Sequence, residues 1–382
     1  MERNTARILN MKFENAVGPG QNYTSEIIRV RMEVVLGSGR STKKSLIVKR
    51  KIEKTSSLID AFNLFGLETE MYTEMIPQYE ILMEEQPDGS EPLWPIYYGS
   101  TNNTIVFEDL KASGFTMADR HEGLDLDHAL LTLKSLGRFH GMGAALVNRG
   151  RIQVATLPPY LLCRNDPMCN KFFIGGVSKL AETILTKWDE KWAGTAERLK
   201  KIVENLGTQL VELCSAQDLK LKVLNHGDCW TNNMLYKYDS DRPIAMRFVD
   251  YQLFHYNSYA WDLSYFLYSS VRPSVRHQNM TQLLGAYHTA LHSTMRAYQC
   301  PIDQAPTMEE LSAEMDRLSV VGLMMTCSLT PVAMASPDDA MDMDKFIDDS
   351  VDSAQNPAMY LNPKYTAAIK QDLEYFTKMG VL

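Results

Sequence analysis

HGDCWTNNML, His226 to Leu235, followed by FVDYQ, Phe248 to Gln252, decides how this chain is read. Asp228 is followed five residues later by Asn233, and a short apolar run then delivers Asp250. Taken singly, Asp and Asn are common cap and turn residues. That role does not account for their joint spacing. Phosphoryl transfer does, because it needs a carboxylate to orient the attacking hydroxyl and accept its proton. It also needs Asn and Asp oxygens to hold Mg²⁺ against the ATP phosphates. The transition state is stabilised mainly by the metal and by positioning, so few residues suffice.

Working outward, KVLNHGD and MRFVD are two short apolar runs, each ending in an aspartate, with a polar turn over 239–243 between them. They predict a small hairpin with acids at its edges. Toward the N-terminus, Ile28, Val30, Met32 and Val34 alternate with Arg29, Arg31 and Glu33, the period of a half-buried strand. A turn over 37–44 leads to a second strand over 45–49 that ends at Lys49. Residues 57–76 predict a helix with Leu58, Phe62, Phe65, Met71 and Tyr72 on its apolar face, ended by Pro77. Two further strands follow over 96–98 and 104–107. Beyond FEDLKASGF the periodicity turns helical, first over 126–147 and then through most of the chain. The expectation is an α+β protein with a small antiparallel-sheet lobe over 1–109 and a larger, mostly helical lobe over 110–382. The second lobe carries the loop 226–233 and the motif 250–252.

A length of 382 residues exceeds what one core usually supports and suits two lobes with a cleft between them. The net charge of −8 argues against a nucleic-acid surface, which clusters Lys and Arg. Six cysteines are scattered without a CxxC pair and read as reduced thiols of a cytoplasmic protein. Residues 1–20 carry early charges and no apolar signal core. The uncharged stretch 318–335 reads as a buried helix ended by Pro331 rather than a membrane span. A monomer or weak dimer is expected. The segment 337–352 holds seven aspartates and reads as a solvated loop or helix start, with a substrate lid as the alternative.

Other constellations lack a component. His288 and His292 stand four apart, but Thr289 occupies the place of the glutamate that a zinc protease needs. LGSGRSTKKS lacks the ending of a Walker A loop and lies between antiparallel strands. Cys229 has no basic neighbour to activate it.

HGDxWxNNxL with a D-aromatic-Q tripeptide resembles the catalytic loop and metal motif of the aminoglycoside phosphotransferase and choline kinase superfamily. It is more particularly similar to the ecdysteroid kinase-like family. GPGQNYTS (18–25), LIVKR (46–50), FGLETEMYTEMIP (65–77), IVFEDLKASGF (105–115) and LKSLGRFHGMG (133–143) match that family's motifs in order, with Gln21 and Tyr23 departing from Glu and Phe. The resemblance implies a protein-kinase-like bilobal fold and use of ATP and Mg²⁺. It casts Asp228 as the catalytic base and Asn233 and Asp250 as metal ligands. Lys49 would contact the phosphates and Glu68 would orient it. Asn22 and Tyr23 would lie in the phosphate loop, and Phe107, Glu108 and Leu110 at the adenine. His226 would order the loop, and Asp262 in WDLSYF would brace it. The implied acceptor is an ecdysteroid or related apolar alcohol. A choline- or xenobiotic-type alcohol and a silent ligand-binding pseudokinase are the rival readings.

Overall fold

The structure is a computed structural model that describes residues 5–18, 25–52, 60, 62–86, 89–215, 219–339, 341 and 355–382. Asn22, Tyr23 and most of the acidic segment 337–352 lie outside them. An antiparallel sheet forms the N-terminal region, from β1 (Thr5–Asn15), β2 (Ser25–Leu36), β3 (Ser41–Lys51), β4 (Tyr97–Thr101) and β5 (Thr104–Glu108), in the order β1-β2-β3-β5-β4. The alternation that predicted β2 is satisfied two-sidedly. Val30 and Val34 are buried on one face, while Arg29 is buried on the face toward the cleft. The edge strand β1 was not foreseen, because residues 5–15 carry no clean alternation.

Between β3 and β4 runs a helix in two parts, α1 (Leu64–Glu70) and α2 (Ile76–Glu85), joined by a π turn over Met71–Met75. The helix expected to end at Pro77 therefore continues for two more turns. Proline lacks the N–H that an α-helix interior needs. The widened π turn resets the hydrogen-bond register and lets Pro77 occupy the start of α2, where no donor is required.

The C-terminal region is helical. It contains α3 (Leu126–Asn148), α4 (Pro167–Lys187), α5 (Ala193–Ser215), α6 (Ala260–Ser270), α7 (Pro273–Ala297), α8 (Met308–Arg317), α9 (Ser319–Ser328), α10 (Thr330–Met334) and α11 (Pro363–Lys378). Asp125 and Asp166 cap α3 and α4 by accepting their first backbone N–H groups. The stretch 318–335 is buried as α9 and α10, with Pro331 in the first turn of α10. No single helix among the described residues is long and apolar enough to cross a membrane. The buried Arg276 of α7 pairs with Asp372 of α11, which ties the C-terminal helix to the core.

Small strands carry the polar loops: β6 (Phe115–Met117), β8 (Met234–Asp239) and β9 (Arg242–Phe248) form one sheet, and β7 (Lys222–Asn225) pairs with β10 (His255–Ser258). The predicted hairpin is thus corrected. MRFVD folds back on β8, through a turn with Ser240 in the left-handed region, whereas KVLN pairs with β10.

The cysteines are also corrected. Cys163 and Cys214 form a disulfide with Cα atoms 5.5 Å apart, while Cys169, Cys229, Cys300 and Cys327 are free and buried. Packing of the short turn Leu161–Arg164, just before α4, against α5 brings the two together from 51 residues apart, a proximity that sequence spacing does not display. Alkylating the unfolded, non-reduced protein should therefore label four of six cysteines. Cys214→Ser should lower unfolding stability in urea by roughly 2–4 kcal/mol, the usual contribution of a bridge closing a loop of this length; six labelled thiols in the wild type would contradict the pairing.

Candidate active site

One helix, α6, organises the loop that the sequence singled out. Asp262, fully buried, accepts the backbone N–H of His226 at 2.7 Å and of Gly227 at 2.8 Å, and Nε2 of His140 approaches its carboxylate at 3.1 Å. His140 is held in turn by the Tyr287 hydroxyl at 2.9 Å. Burial disfavours a charged carboxylate, yet His140 outweighs it and the pKa of Asp262 falls to about 2. A full negative charge is therefore kept beneath the loop. Gly227 adopts φ +86°, and a Cβ there would come 2.0 Å from the Leu253 carbonyl oxygen, so only glycine fits.

Three residues beyond Asp262, on the same helix face, the Tyr265 hydroxyl donates to Oδ1 of Asp228 at 2.5 Å. Asn233 donates through Nδ2 to Oδ2 of Asp228 at 2.8 Å and to its backbone carbonyl at 3.0 Å. Both carboxylate oxygens are thereby fixed. Burial, then the nearby charge of Asp250, pushes the Asp228 pKa up to about 7, against the lowering effect of Tyr265 and Asn233. Tyr265 was missed in the sequence reading. Its signal was its place one helical turn after Asp262.

His226 joins this loop to the next motif. Its Nδ1 accepts the Asp228 N–H at 3.2 Å and its Nε2 lies 3.0 Å from the Val249 carbonyl oxygen. These partners require a neutral ring protonated on Nε2, in accord with a pKa lowered by burial. Asp250 then follows with φ +66°, a left-handed conformation uncommon for a residue with a side chain. The backbone bond from Val249 N–H to the Asn233 carbonyl, at 3.0 Å, holds the strained turn against the loop.

The N-terminal region meets this cluster through Lys49. Its buried ammonium lies 2.5 Å from Glu68 of α1 and 2.6 Å from Asp250. Burial alone would lower the Lys49 pKa, but Asp250 and Glu68 together raise it, so the lysine stays charged. Tyr72 of the π turn packs on Phe107 with ring centres 4.6 Å apart and on Tyr251 at 5.7 Å, and Tyr251 packs on His226 at 4.5 Å. A column of rings thus runs from the Glu68 helix to the Asp228 loop.

Lys49, Glu68, Asp228, Asn233 and Asp250 open onto one cleft of about 630 Å³. Phe107, Glu108 and Leu110 line it too. The Glu108 N–H is already donated to the Ile96 carbonyl at 2.9 Å, so that group is engaged within the sheet. Beside them, Arg29 donates to Asp109 at 2.7 Å and Ser45 to the same carboxylate at 2.6 Å, a pair that joins β2 and β3 to the connection between the two regions. Leu161, Met168, Phe172, Phe173, Leu329 and Val332 supply an apolar stretch of its wall, and Asp119 lines it as well. His226 and Asp262 stand behind the cleft. His288 and His292 lie apart from it, each with Nε2 at the Pro306 carbonyl, and Cys229 is buried.

The raised Asp228 pKa makes a stability prediction. A group whose folded pKa lies above its ordinary value stabilises the fold most at low pH, and that contribution is lost as pH rises through the folded value, here from about 4 to about 7. Asp228→Asn cannot ionise. In thermal melts of the ligand-free protein, its Tm relative to wild type should climb between pH 5 and pH 8; a pH-independent difference would contradict the shift.

The profile of the ecdysteroid kinase-like family matches residues 19–300. No curated protein matches the sequence. Among solved structures the chain is similar to an ethanolamine kinase from Plasmodium vivax, at 13% identity and a TM-score of 0.45, with 94% of this chain and 83% of that one covered. It is also similar to the ADP-bound aminoglycoside phosphotransferase APH(2'')-Ib, at 15% identity and a TM-score of 0.37, covering 84% and 95%. With the profile spanning well over half of its length, the chain belongs to the ecdysteroid kinase-like family.

Proposed function

We propose that this protein transfers the γ-phosphate of ATP to the hydroxyl of a neutral, apolar alcohol of the ecdysteroid type. The observation that carries the reading is Asp228, held through both oxygens in a cleft whose lining combines charged groups with a stretch of apolar and aromatic side chains. Asp228 orients the acceptor hydroxyl and takes its proton, and a pKa near 7 suits a base working near neutral pH. Lys49 lies where it can neutralise phosphate oxygens, with Glu68 fixing its ammonium. Phe107, Glu108 and Leu110 flank the space for the adenine.

The donor set suits a hard cation. Asp250 supplies a carboxylate and Asn233, whose Nδ2 is engaged with Asp228, has its amide oxygen as the remaining polar atom. Mg²⁺ takes one or two such oxygens together with substrate phosphates rather than a protein cage. Among the described residues no cluster of three His, Cys, Asp or Glu side chains forms such a cage. Bound there, Mg²⁺ would neutralise the charge that develops on the phosphates. Asp250 would have to exchange its contact with Lys49 for the metal, freeing the lysine for phosphate.

The apolar stretch of the wall favours an uncharged ligand over a choline-like cation. Its six side chains are all apolar, and burying an ammonium against them would be costly, although Asp119 lines the same cleft and is the carboxylate a cation would have to reach. Mass spectrometry of ecdysteroids, sterols, choline and ethanolamine incubated with the protein and Mg-ATP tests both parts. A phosphorylated steroid should form, at a rate lower by about two to four powers of ten with Asp228→Asn. Phosphorylation confined to choline or ethanolamine would overturn the acceptor assignment, and no phosphorylated product from any alcohol would overturn the transferase.

A further inference from the structure

The edge strand β1 takes no part in the site, yet its outer side has a definite pattern. All of its eleven residues are exposed except Glu14, which is half-buried, and the large apolar side chains Ile8, Met11 and Phe13 are 48%, 40% and 64% exposed. In the ladder with β2, Ile8 lies opposite Val34, Met11 opposite Met32 and Phe13 opposite Val30. These three therefore share the face of the sheet turned away from the cleft. Arg7, Asn10, Lys12 and Glu14 lie opposite Val35, Glu33, Arg31 and Arg29, on the cleft face. A register shift between Ile8 and Asn10 places Leu9 in a bulge that brings the two halves of the strand into this common alternation.

A long edge with exposed apolar residues and no proline is a template for pairing with another strand. We propose that its partner is β1 of a second copy, paired antiparallel about a two-fold axis through Met11. With the bulge kept, Met11 faces its own counterpart once on the axis, while Phe13 faces Ile8, Lys12 faces Asn10 and Glu14 faces Arg7, each of these twice by symmetry. The apolar residues form one continuous stripe of six side chains across the joint sheet. On the opposite face each end carries an Arg7–Glu14 contact of opposite charge, and Glu14 keeps its place beside Arg31 at 2.8 Å. Shifting either strand by two residues about the axis brings Lys12 or Asn10 opposite itself and separates Arg7 from Glu14. The self-complementarity, apolar with apolar and cation with anion in one register, is what selects a second copy over an unrelated strand. One strand pair buries less than a standard interface, so the dimer forms in the micromolar range. It is independent of the proposed chemistry.

The test is sedimentation velocity of the full chain from low micromolar to several hundred micromolar, joined to cysteine crosslinking. The wild type should pass from monomer to dimer, and Phe13→Lys should raise the dissociation constant by about tenfold or more, since each dimer loses two apolar pairs. Phe13 is the most exposed of the three, so this change leaves the monomer folded, as its unfolding midpoint will record. Met11→Cys, on the axis, should oxidise to a covalent dimer, whereas Phe13→Cys alone should not; the free native cysteines are buried and give little background. A wild type that stays monomeric throughout, a dimer indifferent to Phe13→Lys, or crosslinking that favours Phe13→Cys over Met11→Cys would each overturn the proposal.

Discussion

The buried carboxylate of Asp262 is the constraint on which the site depends. It accepts two successive backbone N–H groups of the loop that would otherwise be orphaned in the core, and it does so as an anion held by His140. Hydrogen bonds to a charged acceptor contribute about 1.5–3 kcal/mol each, and leaving such donors unpaired in the interior costs comparable free energy. The loop is therefore not free to choose another path. Its left-handed Gly227, pressed against the Leu253 carbonyl, follows from the same geometry. Because Tyr265 projects from the next turn of the same helix, the element that shapes the backbone also aims the Asp228 carboxylate.

A second consequence is electrostatic. Asp228 and Asp250 both face one cleft, and their mutual repulsion adds to burial in raising the Asp228 pKa. Lys49 stands between Asp250 and Glu68 and offsets part of their negative charge. Ring packing from Tyr72 through Tyr251 to His226 keeps both sides of the cleft in register.

Much of this was legible from residue order. The alternation over 28–34 located β2, the helical period over 126–147 located α3 to within a residue, and the spacing of Asp228, Asn233 and Asp250 marked residues that the fold brings to one cleft. What escaped was whatever depends on distance in space rather than along the chain. Pairing of β7 with β10, the Cys163–Cys214 bridge and the Arg29–Asp109 contact each join segments whose proximity no local pattern records. Pro77 misled for a different reason, since a π turn upstream removes the conflict that a proline creates in a regular helix. Tyr265 was hidden because one tyrosine in an aromatic-rich helix looks like packing until its hydroxyl is seen to reach a carboxylate.

The central proposal is that Asp250 and Asn233 would hold a cation, with Lys49 released from Asp250, when nucleotide enters. A crystal structure with Mg-ADP tests it most directly. The account predicts Mg²⁺ at about 2.1 Å from an Asp250 carboxylate oxygen and the Asn233 amide oxygen, with Lys49 turned toward phosphate and still on Glu68. A nucleotide bound with its metal on other residues, or with the Lys49–Asp250 contact intact, would contradict it.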